Sequence, residues 1–308
     1  MENDNKKNKF LIALDGSDYS SEAVKYIKNF EQCKNMDIIL FNVYSPLPEY
    51  YFDANIVPEY DEVVSWELDH INFIRKYMGD VHDLFVKSGF ERDGIKIKIN
   101  KRKVGFARDI LIEAKNDYSF IVIGRKGIGE LNEIFLGSIA AKVFEKLFFT
   151  PIFIVGKNPN TDKILVAVDG SENSMRAVDF ICKVFNNSDI KIGLIHIIRG
   201  GSTKENGVKK IFSKRNFIEN TKDAIIPFIE KAKNNLINYG INANNIDVDI
   251  ITNVTSRAAA IFEYAKKNNY GTIVAGRRGL SVVTDFFAGR VVNKIVQLAN
   301  DRSVWIIP

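Results

Sequence analysis

The sequence predicts an α/β fold built twice, as two tandem domains, each with a parallel sheet covered by helices on both faces. Three observations predict it. Short apolar runs that read as buried strands alternate with segments of helical periodicity. Residues 10–17, FLIALDGS, return as residues 164–171, ILVAVDGS, 154 positions later. The pattern Gly-x2-Gly-x9-Gly at Gly124, Gly127 and Gly137 returns 152 positions later at Gly276, Gly279 and Gly289. Two distant anchors that recur in the same order describe an internal duplication, with a unit too long for a solenoid repeat. The boundary falls at Gly156-Lys157-Asn158-Pro159-Asn160, giving domains at 1–157 and 158–308.

In the first half, after a polar tail, residues 9–14 read as a strand and Asp15-Gly16-Ser17-Asp18 as a turn rich in capping side chains. A helix follows with Ala23, Ile27 and Phe30 on one face. Residues 37–44 form a second buried strand. The proline- and aromatic-rich segment from Ser45 to Phe52 is expected to be a packed loop. Residues 60–88 carry Val64, Leu68, Ile71, Met78, Val81 and Phe85 at helical spacing, and Gly89 ends the pattern. His70 and His82 share this helix, but twelve residues of helix span ~18 Å, too far for one metal ion. Ile95, Ile97 and Ile99 alternate as a third strand, and residues 105–115 form a helix. Residues 120–123 make a fourth strand; Ile139, Val143 and Leu147 mark a last helix; residues 151–155 make a fifth strand.

The second half repeats the plan. Residues 190–198 read as strand two and Gly200-Gly201-Ser202-Thr203 as a polar loop. A helix over 217–239 carries Pro227 as an expected kink. Residues 246–251 read as strand three, 256–267 as a helix and 304–307 as the final strand. His196 occupies the position of Asn42 and reads as a satisfied structural group. Cys33 and Cys182, in equivalent first helices, lack metal or redox spacing and read as buried thiols.

With 308 residues, 46% of them hydrophobic, the chain is long enough for two cores. No apolar run approaches the ~20 residues that span a membrane, and the N-terminus MENDNKKNK has no signal core, so a cytoplasmic protein is expected. The net charge of +5 is spread among compensating acids. A nucleic-acid groove would need a concentrated basic face, and none is read here.

The chemistry concentrates at residues 124–140. A buried strand, a glycine turn and a helix start bring backbone N–H groups around a helix N-terminus, where an anion is favoured and glycine lets a phosphate approach the main chain. In a parallel sheet the ligand crevice lies beyond the carboxyl ends of the strands, where Asp15, Val43 and Gly124 fall.

Together, the Gly-x2-Gly-x9-Gly-Ser motif, the opening strand ending in Asp-Gly-Ser and a fifth strand introduced by Thr150-Pro151 resemble the universal stress protein family in its tandem form. The resemblance covers about residues 8–156 and 162–307. It implies two Rossmann-like domains of the adenine nucleotide alpha hydrolase type, each a five-stranded parallel sheet of order 3-2-1-4-5, with ATP bound in many members. It would place Ala13, Leu14 and Asp15 by adenine and ribose, and the main chain of Val43 at the adenine edge. Gly124, Lys126 and Gly127 would meet ribose and phosphates, and Gly137, Ser138, Ile139 and Ala140 would hold the phosphates. Mg2+ or Mn2+ would be held mainly by the nucleotide. The counterparts in the second half are Asp169, Ile197, Gly276, Arg278, Gly279, Gly289 and Arg290.

Arg290 departs from the pattern, standing where Ser138 stands in the first half. It either forks onto a phosphate or fills the pocket, and the expectation is an ATP site in the first half with a weaker, altered or empty one in the second. The resemblance also implies a pseudo-dimer of the two domains through their last strands, and a possible homodimer. No catalytic base or nucleophile is legible, so a regulator or adaptor of the stress response leads over a nucleotide-free scaffold and over a slow ATP-hydrolysing or adenylate-forming enzyme.

Overall fold

The computed structural model of the chain describes residues 8–47, 60–128, 136–157, 159, 162–200, 208–278 and 288–308. The N-terminal tail, Pro48–Phe52 of the expected loop, Gly201–Thr203 and Gly279 lie outside the described residues. The chain forms two compact units that part between Thr150 and Pro151.

The first unit contains β1 (Lys9–Ala13), β2 (Asp37–Tyr44), β3 (Ile95–Lys101) and β4 (Ile121–Gly124). They pair in parallel in the order β3-β2-β1-β4. Ala13 lies opposite both Phe41 and Ile123, so the carboxyl ends of β1, β2 and β4 emerge along one edge. The helices are α1 (Asp18–Lys28), α2 (Tyr60–Lys87), α3 (Phe106–Glu113) and α4 (Ser138–Lys146). Residues of β1 and β4 are buried on both faces, which is why their runs are continuously apolar rather than alternating. At β3, the sheet edge, Ile97 is 43% exposed, so only part of its isoleucine alternation faces the core.

The second unit contains β5 (Ile152–Val155), β6 (Lys163–Ala167), β7 (Lys191–Arg199), β8 (Ile246–Val254), β9 (Thr272–Gly276) and β10 (Ser303–Ile307). Parallel pairing gives β8-β7-β6-β9-β10, which is the order 3-2-1-4-5 in the numbering of one repeat. β5, the strand that ends the first repeat, lies in this unit and runs antiparallel to β10, with Phe153 opposite Trp305. The helices are α5 (Glu172–Val184), α6 (Val208–Asn238), α7 (Arg257–Lys267) and α8 (Arg290–Leu298). Trp305 is 1% exposed and stacks on Phe153 with ring centroids 3.9 Å apart, anchoring the core under α5.

Two glycines are set by packing. A Cβ on Gly124 would lie 2.7 Å from the Tyr19 carbonyl carbon, and one on Gly276 would lie 2.5 Å from that of Asn173. Each glycine lets the first helix of its repeat rest directly on the fourth strand.

Several details differ from the sequence reading. Cys33 sits in a 3-10 turn (Glu31–Cys33) after α1 rather than inside that helix, while Cys182 is within α5. Both thiols are buried, and burial pushes them up to about 12 and about 11, so they stay protonated and unreactive at neutral pH. In α2 the buried stripe runs through Ile74, Met78, Val81 and Phe85, whereas Val64 and Leu68 are exposed. The helix of the second half starts at Val208, earlier than its apolar periodicity indicates, and continues through Pro227.

Candidate functional site

The site is built from the turns that leave β1 and β6. In the first unit, Asp15 Oδ1 accepts the Ser17 N–H at 2.9 Å, closing an Asx turn over Gly16, whose φ of 85° lies in the left-handed region that favours glycine. Ser17 then caps α1, its Oγ accepting from the Ser20 N–H at 3.2 Å. The other carboxylate oxygen of Asp15 accepts the Ile128 N–H at 3.2 Å, across 113 residues of chain. A Cβ on Gly127 would stand 2.8 Å from that same oxygen. Asp15 therefore ties the β1 turn to the glycine loop after β4, and Gly127 makes room for the tie. Ser17 Oγ adds a second link, to the Lys126 carbonyl at 3.4 Å.

The loop returns to α4 through another main-chain bond, from the Gly137 N–H to the Arg125 carbonyl at 3.0 Å. Gly137 is the N-cap, and Ser138, Ile139 and Ala140 form the first turn of α4, whose N–H groups have no acceptor within the helix. Lys126 is buried, with its ammonium 6.0 Å from the centroid of the Tyr19 ring. Ala13 and Leu14 end β1, where the Leu14 N–H donates to the Phe41 carbonyl at 2.8 Å. Val43 lies in the last turn of strand pairing between β2 and β3, opposite Asn100.

The second unit repeats the bonds. Asp169 Oδ1 accepts the Ser171 N–H at 3.0 Å, Ser171 Oγ reaches the Arg278 carbonyl at 3.4 Å, and the Gly289 N–H donates to the Arg277 carbonyl at 2.8 Å. Here a cavity of about 530 Å3 opens at the carboxyl ends of β6, β7 and β9. Asp169, Ile197, Gly276, Arg278, Gly289 and Arg290 all line it. Arg290 is exposed and borders this space instead of filling it. Ile225, Ile261 and Phe228 supply apolar lining of the kind that takes a planar ring, and Asp169 is the one acid that lines the cavity among the described residues.

Sequence reading missed two features, the buried arginines and a second cavity, while His196 is the satisfied structural group it was read as. Arg125 and Arg277, directly after Gly124 and Gly276, are at 1% and 3% exposure, and burial lowers both to about 10. The repeated Gly-Arg after each fourth strand was their signal. His196 lines the cavity with Nδ1 bonded to the Val168 carbonyl at 2.7 Å, while Asn42 Nδ2 donates to the Leu14 carbonyl at the same 2.7 Å. The two residues do one job, holding the strand end just before the aspartate. Lastly, a smaller cavity of about 260 Å3 adjoins the first, bordered by Arg199, Arg257, Arg290 and Lys294. Among the described residues there is no group of three or more His, Cys, Asp or Glu able to hold a metal ion, and no helix long and apolar enough to cross a membrane.

The model of the universal stress protein family matches residues 7–149 and again residues 160–308. The universal stress protein YxiE of Bacillus subtilis is 25% identical over 143 residues, covering 45% of this chain and 93% of that one. The crystal structure of a universal stress protein from Archaeoglobus fulgidus is similar with a TM-score of 0.61 at 19% identity, covering 98% of each chain. A putative universal stress protein from Pseudomonas aeruginosa gives 0.57 at 12% identity, covering 98% of this chain and 93% of that one. At these identities the structural likenesses establish the fold.

Proposed function

The chain belongs to the universal stress protein family, in tandem form, and from that premise we propose that it is a nucleotide-binding regulator or adaptor, taking ATP at the carboxyl-end crevice of its units. The observation that carries this reading is the cavity of about 530 Å3 at the second crevice, whose lining combines Ile225, Phe228 and Ile261 with the start of α8 and the arginines Arg199, Arg257, Arg278 and Arg290. An apolar slot next to a cationic rim fits a planar base joined to phosphates. The first unit supports the reading through its loop: Asp15 and Ser17 bond to the main chain of Ile128 and Lys126, and Gly137, the N-cap of α4, bonds to that of Arg125. In that unit Ser138, Ile139 and Ala140 would hold the phosphates, with Gly124 and Gly127 keeping the loop close to α1 and Asp15. The Gly137 N–H is engaged by Arg125, which removes it from the expected phosphate donors.

A divalent ion, when bound, would neutralise phosphate charge. The chain's fit to it is through the nucleotide, because both oxygens of Asp15 accept main-chain N–H groups. The hydroxyls of Ser17 and Ser20 are engaged at the cap of α1, with Ser20 Oγ donating to the Ser17 carbonyl at 2.9 Å. That leaves a binding role, with nucleotide occupancy altering the surface offered to a partner. Mass in solution tests the accompanying proposal of a homodimer.

The test is to denature freshly purified chain and quantify released ATP, beside the variant Gly127→Asp, which sets a side chain against Asp15 Oδ2. Two ATP per chain, falling to one in the variant, is the expected result. No nucleotide released and no binding of added Mg-ATP would overturn the reading in favour of a nucleotide-free scaffold.

A further inference from the structure

The smaller cavity beside the second site is lined mainly by cationic and hydroxyl side chains. Its walls are Arg199 at the end of β7, Thr255, Ser256 and Arg257 at the start of α7, and Arg290 and Lys294 on α8. No acid lines it. None of the four cations has a salt bridge among the described residues, and Arg257 Nε donates to the Ile197 carbonyl at 3.3 Å, which fixes its guanidinium at the junction of the two cavities. Arg199, Arg257, Arg290 and Val291 border both spaces, so the smaller cavity continues the larger one.

The first unit has a different set at the matching places. Asn42 matches His196 by its bond, which puts Ser45 at the position of Arg199. The N-caps Gly105 and Ser256 put Phe106 at Arg257, and the N-caps Gly137 and Gly289 put Ser138 at Arg290 and Lys142 at Lys294. One cation in the first repeat has become four in the second. Like charges brought together around a hollow repel one another, and an anion between them relieves that repulsion. The starts of α7 and α8 add N–H donors on the same side.

We propose that this annex is a polyphosphate subsite, in which the four cations neutralise the β- and γ-phosphates of a nucleotide seated in the larger cavity, so that the second site binds nucleotide triphosphate without a divalent ion. The proposal rests on the reading that the larger cavity takes the nucleoside. Ser138 in the first unit leaves charge neutralisation to other groups; Arg290 supplies it directly, with bidentate geometry suited to phosphate. The two units thereby respond to different signals, the second to phosphate number alone.

The test uses the full chain carrying Gly127→Asp, which disables the first site, with titration calorimetry in EDTA against AMP, ATP and inorganic tripolyphosphate. Binding is expected to tighten at least about tenfold from AMP to ATP and to weaken about tenfold in Arg290→Ser and in Arg257→Gln, in line with charge-assisted bonds to phosphate. Circular dichroism checks that each variant is folded, and Lys266→Gln, outside both cavities, serves as the control that keeps wild-type affinity. Equal affinity for AMP and ATP, or ATP binding that needs Mg2+, overturns the annex while leaving the nucleotide reading intact. Tripolyphosphate binding that is sensitive to Arg290→Ser, with no ATP binding, keeps the annex and removes the nucleotide. Absence of binding by all three overturns both.

Discussion

Asp15 and Asp169 show how much of a site a single carboxylate can organise. Each closes its own turn, and Asp15 also reaches the glycine loop more than a hundred residues away. A carboxylate used this way is a brace, with both oxygens directed at main-chain donors. His196 and Asn42 illustrate the reverse case, two chemistries with one structural task. They differ in titration. Burial penalises the charged ring and lowers the pKa of His196; the Val168 carbonyl and Asp169 oppose that shift, and Arg257 adds to it. With a folded pKa below the unfolded value of ~6.5, the neutral ring contributes stability that is fully present above that pH and is lost as pH falls toward the folded value. His196→Asn retains the bond and removes the proton. Its melting temperature is therefore expected to fall less than that of the parent chain between pH 7.5 and 5.5, and parallel curves would refute the assignment.

Among the elements, α6 carries a defect that can be tested. Pro227 lies inside a helix that continues on both sides, and its ring nitrogen has no hydrogen to donate to the turn before it. The residue is exposed, while Ile225 and Ile229 on either side of it are buried. The helix holds because its apolar side is packed, which outweighs the local penalty. Pro227→Ala is expected to raise stability by about 1–3 kcal/mol in a denaturant titration, since proline in a helix interior is about 3 kcal/mol worse than alanine. No gain would mean that the helix had already relaxed around the proline. The edge strands use charge for a different purpose. Lys96 and Lys98 on β3, and Asp247 and Asp249 on β8, line the exposed rows that would otherwise invite pairing with another chain.

At the scale of the molecule, the two repeats do not end where the compact units part. β5 belongs by sequence to the first repeat and by compactness to the second unit, where it pairs with β10 and its four residues are buried. Phe153 against Trp305 is the centre of that contact. A fragment of residues 148–308 is expected to be more stable than one of residues 160–308 by at least about 3 kcal/mol, the scale of one lost large core side chain. Equal stability in urea would show that β10 does not depend on β5.

Through its resemblance to the universal stress protein family the sequence implied the strand order; by itself it determined the duplication, the alternation of strands with helices and the identity of the glycine loops. These follow from patterns that are local or periodic: apolar runs fix buried parallel strands, caps such as Ser17 and Ser171 fix helix starts, and a repeat needs only self-comparison. The α2 stripe was legible as a helix but not in its depth of burial, because periodicity reports a face and not what covers it. Only the tertiary structure decided that Asp15 braces Ile128, that Arg290 borders open space, and that Arg199, Arg257, Arg290 and Lys294 share one hollow. Those four lie on three different elements, as much as 95 residues apart. Charge at such separations leaves no periodic trace in a sequence; it becomes a site only where a strand end and two helix starts converge.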